Sequence, residues 1–159
     1  MKTNIYLDFG YLVVLAATFG AVMTLGMLAA PVVFNPNGYL IEVSLDRYNS
    51  GMIMAEIFRR FSTWLYAVAA FVLIYEALWY KKGQRDALSF ASAFVVVFTA
   101  LMFSGVYVPK ILAMQAIGPE ATMSDTFANI HLASEIDFKL LALGLIILFI
   151  RRLMLLRRA

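Results

Sequence analysis

Nine polar residues that could bind an ion or a small polar solute lie in three short segments of an otherwise apolar chain. Carboxylates can bind protons or cations, and basic side chains can bind anions or neutralise the carboxylates. The nine candidates are Glu56, Arg59, Arg60, Lys110, His131, Ser134, Glu135, Asp137 and Lys139. Five of them lie in the nine-residue segment HLASEIDFK, which makes this segment the leading candidate for a binding site.

The candidates in this segment divide between two faces of the helix that the sequence predicts there. At 100° per residue, His131, Glu135 and Lys139 lie on one face of the helix. Asp137 points away from these three and lies nearer Ser134. Two polar faces on one helix predict polar contacts with two neighbouring helices.

The remaining charges suggest partners for the two carboxylates of this helix. We expect Glu56 to pair with Arg59 or Arg60 on its own helix, which leaves the other arginine for Asp137 or Glu135. The whole set could act as ion pairs that hold the helices together. It could also form a pocket, open to the outside, for an ion, a proton relay or a small polar ligand, because charges inside a membrane cost about 2.5 to 3.5 kcal/mol each and are often functional.

A soft metal is a further alternative, because thioether and imidazole groups suit copper(I). His131 is the only histidine of the chain, and five methionines fall on or near the same predicted side, although methionine is also an ordinary filler of apolar cores. These are Met27, Met52, Met54, Met114 and Met123. The chain has no cysteine, which excludes disulfides, thiolate metal sites and cysteine nucleophiles, and no common catalytic motif is present.

The composition predicts that these residues are positioned by membrane helices. Hydrophobic residues make up 63% of the 159 residues, charged residues make up 14%, and the mean hydropathy is +0.83. These values are typical of an integral membrane protein. The net charge of +3 comes from small basic groups at the ends of apolar runs, which is typical of orientation signals and does not suggest nucleic-acid binding.

Apolar runs of about 20 residues, the length that crosses ~30 Å of hydrocarbon, predict an all-α integral membrane four-helix bundle in one domain. The predicted spans are residues 11–34, 61–80, 87–109 and 131–150. We expect the second helix to begin near Ser50 as its N-cap, the third to be closed by Pro109 and Lys110, and the fourth to begin near Asp125.

The distribution of basic residues predicts that both termini are cytoplasmic. The inner side would hold Lys2, Lys81, Lys82, Arg85, Arg151, Arg152, Arg157 and Arg158, and the outer side and outer helix halves would hold Arg47, Arg59, Arg60, Lys110 and Lys139. Because basic residues favour the cytoplasmic side, eight against five predicts the N-in, C-in orientation. We expect the membrane to be the bacterial inner membrane.

The order of several short motifs resembles a known family. APVVF closes the first helix, SGMIMAEIFRRF enters the second, and HLASEID opens the last. This layout resembles the small four-helix membrane proteins grouped as a domain of unknown function and related to transmembrane protein 205, and more remotely the copper-resistance D-type proteins and haem-binding protoporphyrinogen oxidases. The family-pattern positions are Pro31, Phe34, Gly51, Phe58, Phe61, His131 and Ser134. The resemblance implies handling or export of metals or small solutes, whereas the first-helix histidine of the haem-binding relatives is absent here.

The leading hypothesis is therefore a small membrane protein that transports or binds an ion, a metal or a small polar solute through a polar cluster at its outer face. Its partner is the lipid bilayer, with a homo-oligomer or a larger membrane complex also possible. The alternative is an accessory subunit of such a complex with no ligand of its own. A third hypothesis is a membrane enzyme linked to haem or quinone, although an enzyme is the less expected class.

Overall fold

The computed structural model describes residues 5–35 and 45–157, and every regular element in these two ranges is helical. The elements are α1 (Ile5–Thr24), α2 (Ala30–Phe34), α3 (Arg47–Lys81), α4 (Ala87–Met102), α5 (Val108–Ile117), α6 (Pro119–Thr122) and α7 (Asp125–Leu156). Lys2 and Arg158, on which the predicted orientation partly depends, lie outside the described residues.

Two of the helices pass through a wide π-helical turn before a proline. Residues Leu25–Ala29 connect α1 to α2, and residues Phe103–Tyr107 connect α4 to α5. In each case the proline is the second residue after the turn: Pro31 in α2 and Pro109 in α5. A proline here lies in the first turn of the next helical segment, where its missing N–H is tolerated. The predicted end of the third helix at Pro109 and Lys110 is therefore wrong, because the helix continues to Ile117.

Side-chain caps set the beginnings of the other long helices. Asp46, Asp86 and Ser124 accept hydrogen bonds from backbone N–H groups three residues later, which satisfies donors that the first helical turn leaves free. The predicted N-cap at Ser50 is wrong, since α3 begins at Arg47 and Ser50 is a buried residue of its first turns. The predicted beginning of the last helix at Asp125 is confirmed.

The long helices pack side by side around an apolar core. α7 lies against α1 and α4, and α4 lies against α3. Gly144 permits the close approach of α7 to α4, because an added Cβ would lie 3.1 Å from side-chain carbons of Val95 and Val96. Leu65, Val72, Val96, Leu141, Leu145 and Leu148 form the fully buried centre.

Three helical segments of the described residues are long and apolar enough to cross a membrane. They are residues Ile5–Phe34, Arg47–Lys81 and Ala87–Ile117. α7 is not among them, because charged residues lie in both of its halves. Within the described ranges, this membrane protein is therefore all-helical with three candidate spans, and α7 packs against two of them.

We call the end of the molecule where α3 finishes and α4 begins the basic end, and the other end the opposite end. Because the helices run antiparallel, α1 also begins at the basic end and α7 finishes there.

Candidate functional site

The predicted polar cluster near the opposite end separates into local pairs on the surface. Glu56 accepts hydrogen bonds from Arg59 at 2.6 and 2.8 Å and from Arg60 at 2.8 Å. The expectation that one of these arginines reaches Asp137 or Glu135 is therefore wrong, because a single carboxylate one turn away binds both arginines. These ion pairs are exposed to water, which screens them, so they contribute little to stability.

Four further charged candidates are also exposed: Lys110, His131, Glu135 and Lys139. Lys139 Nζ donates to Glu135 Oε1 at 2.7 Å across one turn of α7. His131 is exposed, and its ring stacks on Phe127 with centroids 6.0 Å apart. Lys110 is an exposed residue of α5. The polar face predicted for His131, Glu135 and Lys139 exists, but it lies on the outside of the helix packing.

Asp137 differs from the other charged candidates because it is buried. Only 6% of the residue is exposed, and its Oδ2 atom has no hydrogen-bond partner among the described residues. Ser134, one turn earlier on the same face, is equally buried and donates its hydroxyl hydrogen to the carbonyl oxygen of His131 at 2.7 Å. The prediction that Asp137 and Ser134 share a face apart from Glu135 and Lys139 agrees with this arrangement.

A second oxygen without a partner lies at the same level of the helix packing. The rings of Phe103 and Phe138 are 4.8 Å apart, which brings the π-helical turn after α4 level with this part of α7. Ser104 follows Phe103, and Asp137 precedes Phe138. Ser104 is 3% exposed, and its Oγ atom lacks a hydrogen-bond partner within the described ranges. Buried polar atoms are nearly always paired, so these two unpaired oxygens are candidates for contact with water, a proton or an ion.

The methionines proposed as metal ligands differ widely in exposure. Met54 is buried in the core, Met52 is 40% exposed, Met27 is 64% exposed and Met123 is 83% exposed. Met114 lies partly buried in α5. In residues 5–35 and 45–157, no three or more His, Cys, Asp or Glu side chains form a group that could hold a metal ion.

The basic end contains a buried network that the sequence did not predict. Tyr11 in α1 donates to Glu76 Oε1 in α3 at 2.9 Å, and Tyr75 in α3 donates to Asp8 Oδ1 in α1 at 2.8 Å. The two tyrosine rings stack with centroids 3.6 Å apart. Each helix thus supplies a tyrosine to a carboxylate on the other.

Arg152 joins α7 to this network. Its side chain is 3% exposed and forms a bidentate ion pair with Glu76, in which Nε lies 2.9 Å from Oε1. Its guanidinium also lies 5.5 Å from the Tyr75 ring centre and 5.6 Å from the Trp79 ring centre. The planar guanidinium of arginine can bind a carboxylate with two parallel hydrogen bonds and stack on aromatic rings, whereas the ammonium group of lysine cannot.

A neighbouring pair at the surface fixes the same helix end. Arg151 Nε donates to Asp86 Oδ2 at 3.0 Å, so α7 is tied to the cap of α4. This hydrogen bond, more than any other interaction, holds the pKa of the Asp86 carboxyl well below its usual range, and hydrogen bonds from Ser89 add to the effect. The sequence signals for the basic-end network were Glu76 and Asp8, which interrupt apolar runs.

Comparison with known proteins gives a family and no function. Neither the curated proteins nor the solved structures that were compared include a significant match. The family described as "Domain of unknown function (DUF4149)" matches residues 13–120. This range begins within α1, covers α2 to α5, and ends within α6, before α7. The match spans more than half of the chain, so the protein belongs to the DUF4149 family.

Proposed function

We propose that the protein binds and carries an ion or a small polar solute through a buried site centred on Asp137. The observation that carries this proposal is the Oδ2 atom of Asp137, which is buried and without a hydrogen-bond partner among the described residues. An uncompensated carboxylate in apolar surroundings costs several kcal/mol, so it requires a proton, a cation or a donor group of a ligand.

The chemistry of the site favours a proton or a hard cation among the possible ligands. Asp137, Ser104 and Ser134 offer only oxygen atoms, and oxygen donors suit hard cations rather than copper(I). Copper or another soft metal is correspondingly less favoured. The rings of Phe58, Phe103 and Phe138 contact one another next to these residues, at centroid distances of 4.8 to 5.4 Å. This apolar packing would strengthen electrostatic attraction at the carboxylate, because it keeps the local dielectric low.

The proposal requires α7 to cross the membrane as a fourth span, with both termini in the cytoplasm. This four-helix bundle is supported by the packing of α7 on α1 and α4. It is also supported by ion pairing at the basic end, where Glu76 and Asp86 neutralise Arg152 and Arg151. Asp137 would then lie in the outer half of the bundle, and we take the membrane to be a bacterial inner membrane.

Because the sequence contains no cysteine, a single introduced cysteine can report on which side of the membrane each end of α7 lies. Met123 and Arg157 are exposed residues that flank α7. In intact cells, a membrane-impermeant maleimide should label Met123→Cys, whereas Arg157→Cys should react only after permeabilisation. Equal labelling of both variants in intact cells would show that α7 does not cross the membrane.

Flux through the site is tested by a matched pair of variants on one helix. Asp137→Asn keeps the shape of the side chain but removes its charge, and Glu135→Gln does the same at an exposed, ion-paired position two residues away. The purified variants would be reconstituted in vesicles that contain a pH-sensitive or a sodium-sensitive dye. We expect Asp137→Asn to abolish the protein-dependent signal for one of the two ions and Glu135→Gln to retain it. Equal fluxes of Asp137→Asn and the unchanged protein for both ions would refute the proposal.

A second candidate function is an accessory subunit of a larger membrane complex. It is supported by the length of α3, since 35 residues extend ~52 Å and exceed the ~30 Å hydrocarbon layer. The part of α3 beyond the membrane would present the exposed Glu56, Arg59 and Arg60 to a partner. Neutralising these three charges should then release a co-purifying partner without changing ion flux. The enzyme hypothesis, linked to haem or quinone, has no comparable support from the described residues.

A further inference from the structure

A small opening lies at the basic end, between the last turns of α3 and α7. It is lined by Tyr75, Trp79, Gln84, Arg152, Leu155 and Leu156. Its walls combine a cation, an amide and two aromatic rings with two aliphatic side chains. The space is about large enough for one water molecule, so only a single small atom or group could enter it.

Arg152 offers the opening a hydrogen-bond donor that is not used elsewhere. Its Nε atom and one terminal nitrogen donate to Glu76. The other terminal nitrogen, Nη1, has no hydrogen-bond partner in the part of the chain that the structure describes, and it is not among the fully buried unpartnered atoms. Arg152 is one of the residues that line the opening, so an anion that enters it would lie beside this guanidinium. Guanidinium N–H groups bind phosphate oxygens strongly.

The charge around the opening also favours an anion. Among the described residues, the basic end has six basic groups and three acidic groups, a net charge of +3 from 6 − 3. The basic residues are Lys81, Lys82, Arg85, Arg151, Arg152 and Arg157, and the acidic residues are Asp8, Glu76 and Asp86. Lys82 is a cation at the rim, since its Nζ lies 5.3 Å from the ring centre of Trp79, a residue of the lining.

The position of the opening favours a lipid as the source of the anion. Trp79 and Tyr80 precede the basic turn at the end of a candidate span, which is the usual level of the membrane interface. Leu78, Leu153 and Met154 are 41 to 44% exposed on the same helix ends and could contact acyl chains. We propose that the opening binds one phosphate oxygen of an anionic phospholipid, whose headgroup lies over Gln84 and Lys82. This inference is independent of the Asp137 site, since it requires only that α3 spans the membrane.

Opposite charges introduced at Gln84 provide the test. Gln84 is exposed in the turn between α3 and α4, so Gln84→Glu and Gln84→Lys should both fold. The full chain in an uncharged detergent would be titrated with phosphatidylglycerol, and binding would be measured by native mass spectrometry. Because one charge near a membrane-level anion site contributes about 1 kcal/mol, we expect about fivefold weaker binding for Gln84→Glu and about fivefold tighter binding for Gln84→Lys.

Three controls distinguish binding of an anionic lipid at this opening from a general charge effect and from binding of free phosphate. Ala128→Glu adds the same charge at an exposed position near the opposite end of the molecule and should leave the affinity unchanged. Phosphatidylcholine should bind more weakly than phosphatidylglycerol, and inorganic phosphate should not displace the lipid at equal concentration. Equal affinities of the two Gln84 variants, equal binding of the two lipids, or displacement by inorganic phosphate would each overturn the proposal.

Discussion

Replacing Arg152 by methionine should destabilise the protein more than any change at its exposed ion pairs. The side chains of Arg152 and Glu76 are 3% and 6% exposed, so water screens their interaction very little. Arg152→Met would leave the Glu76 carboxylate with one remaining hydrogen bond, from Tyr11. Leaving one charge of a buried pair uncompensated costs about 3 to 5 kcal/mol. For a chain of this length, this corresponds to a melting temperature roughly 6 to 20 °C lower.

The double variant Glu76→Gln, Arg152→Met separates the buried charge from the lost packing. Glutamine can still accept the hydrogen bond from Tyr11, and no uncompensated charge of this pair remains. We therefore expect the double variant to recover most of the lost stability. As a control, Glu135→Gln removes a charge from a pair with side chains 51% and 71% exposed and should cost less than about 1 kcal/mol.

Thermal unfolding in detergent, followed by circular dichroism and by tryptophan fluorescence, measures these differences. Trp79 is a suitable reporter because its ring centre lies 5.6 Å from the Arg152 guanidinium. The reasoning is refuted if Arg152→Met melts within about 2 °C of the unchanged protein, which corresponds to under 1 kcal/mol. It is equally refuted if the double variant is no more stable than Arg152→Met.

Two further predictions concern helix packing and pH. Gly144→Leu should destabilise the protein by about 1 to 3 kcal/mol in the same unfolding assay, because the added side chain overlaps Val95 and Val96; Gly20→Leu, where an added Cβ meets nothing within 4 Å, is the control and should cost little. Asp86→Asn keeps the helix cap but loses the charge that binds Arg151, so it should be less stable by about 1 to 2 kcal/mol at neutral pH. The pKa of Asp86 is lower in the folded protein than in the unfolded chain, where it is about 4. The charge of Asp86 therefore stabilises the fold above the unfolded pKa. The stability difference between the unchanged protein and Asp86→Asn should shrink as the pH falls below that value. A stability difference that stays constant down to acidic pH would show that the charge of Asp86 does not stabilise the fold.

Short-range features of the fold were predictable from the sequence. The beginning of α7 follows from the capping serine at position 124, and the pairing of Glu135 with Lys139 follows from their spacing of four residues. The separate face of Asp137 follows from the same periodicity. Burial of that face could not be predicted, because it depends on which neighbour packs against α7.

Features that depend on distant residues do not follow from the sequence in this way. Tyr11 and Glu76 are 65 residues apart in sequence, and Glu76 and Arg152 are 76 residues apart, so no local pattern relates them. The sequence pattern places Arg152 at the inner membrane boundary, whereas in the structure it is a buried partner in an ion pair. Pro109 predicts the end of a helix because proline usually ends one. The π-helical turn that accommodates it leaves no clear signal in a single sequence.

The most direct test of the Asp137 site is an experimental density map of the protein in lipid nanodiscs at a resolution that shows bound water and ions. The account predicts non-protein density within hydrogen-bonding or coordination distance of both Asp137 Oδ2 and Ser104 Oγ, and its loss in Asp137→Asn. A map in which Asp137 instead forms an ion pair with a basic side chain such as Lys110, with no such density beside Ser104, would contradict it.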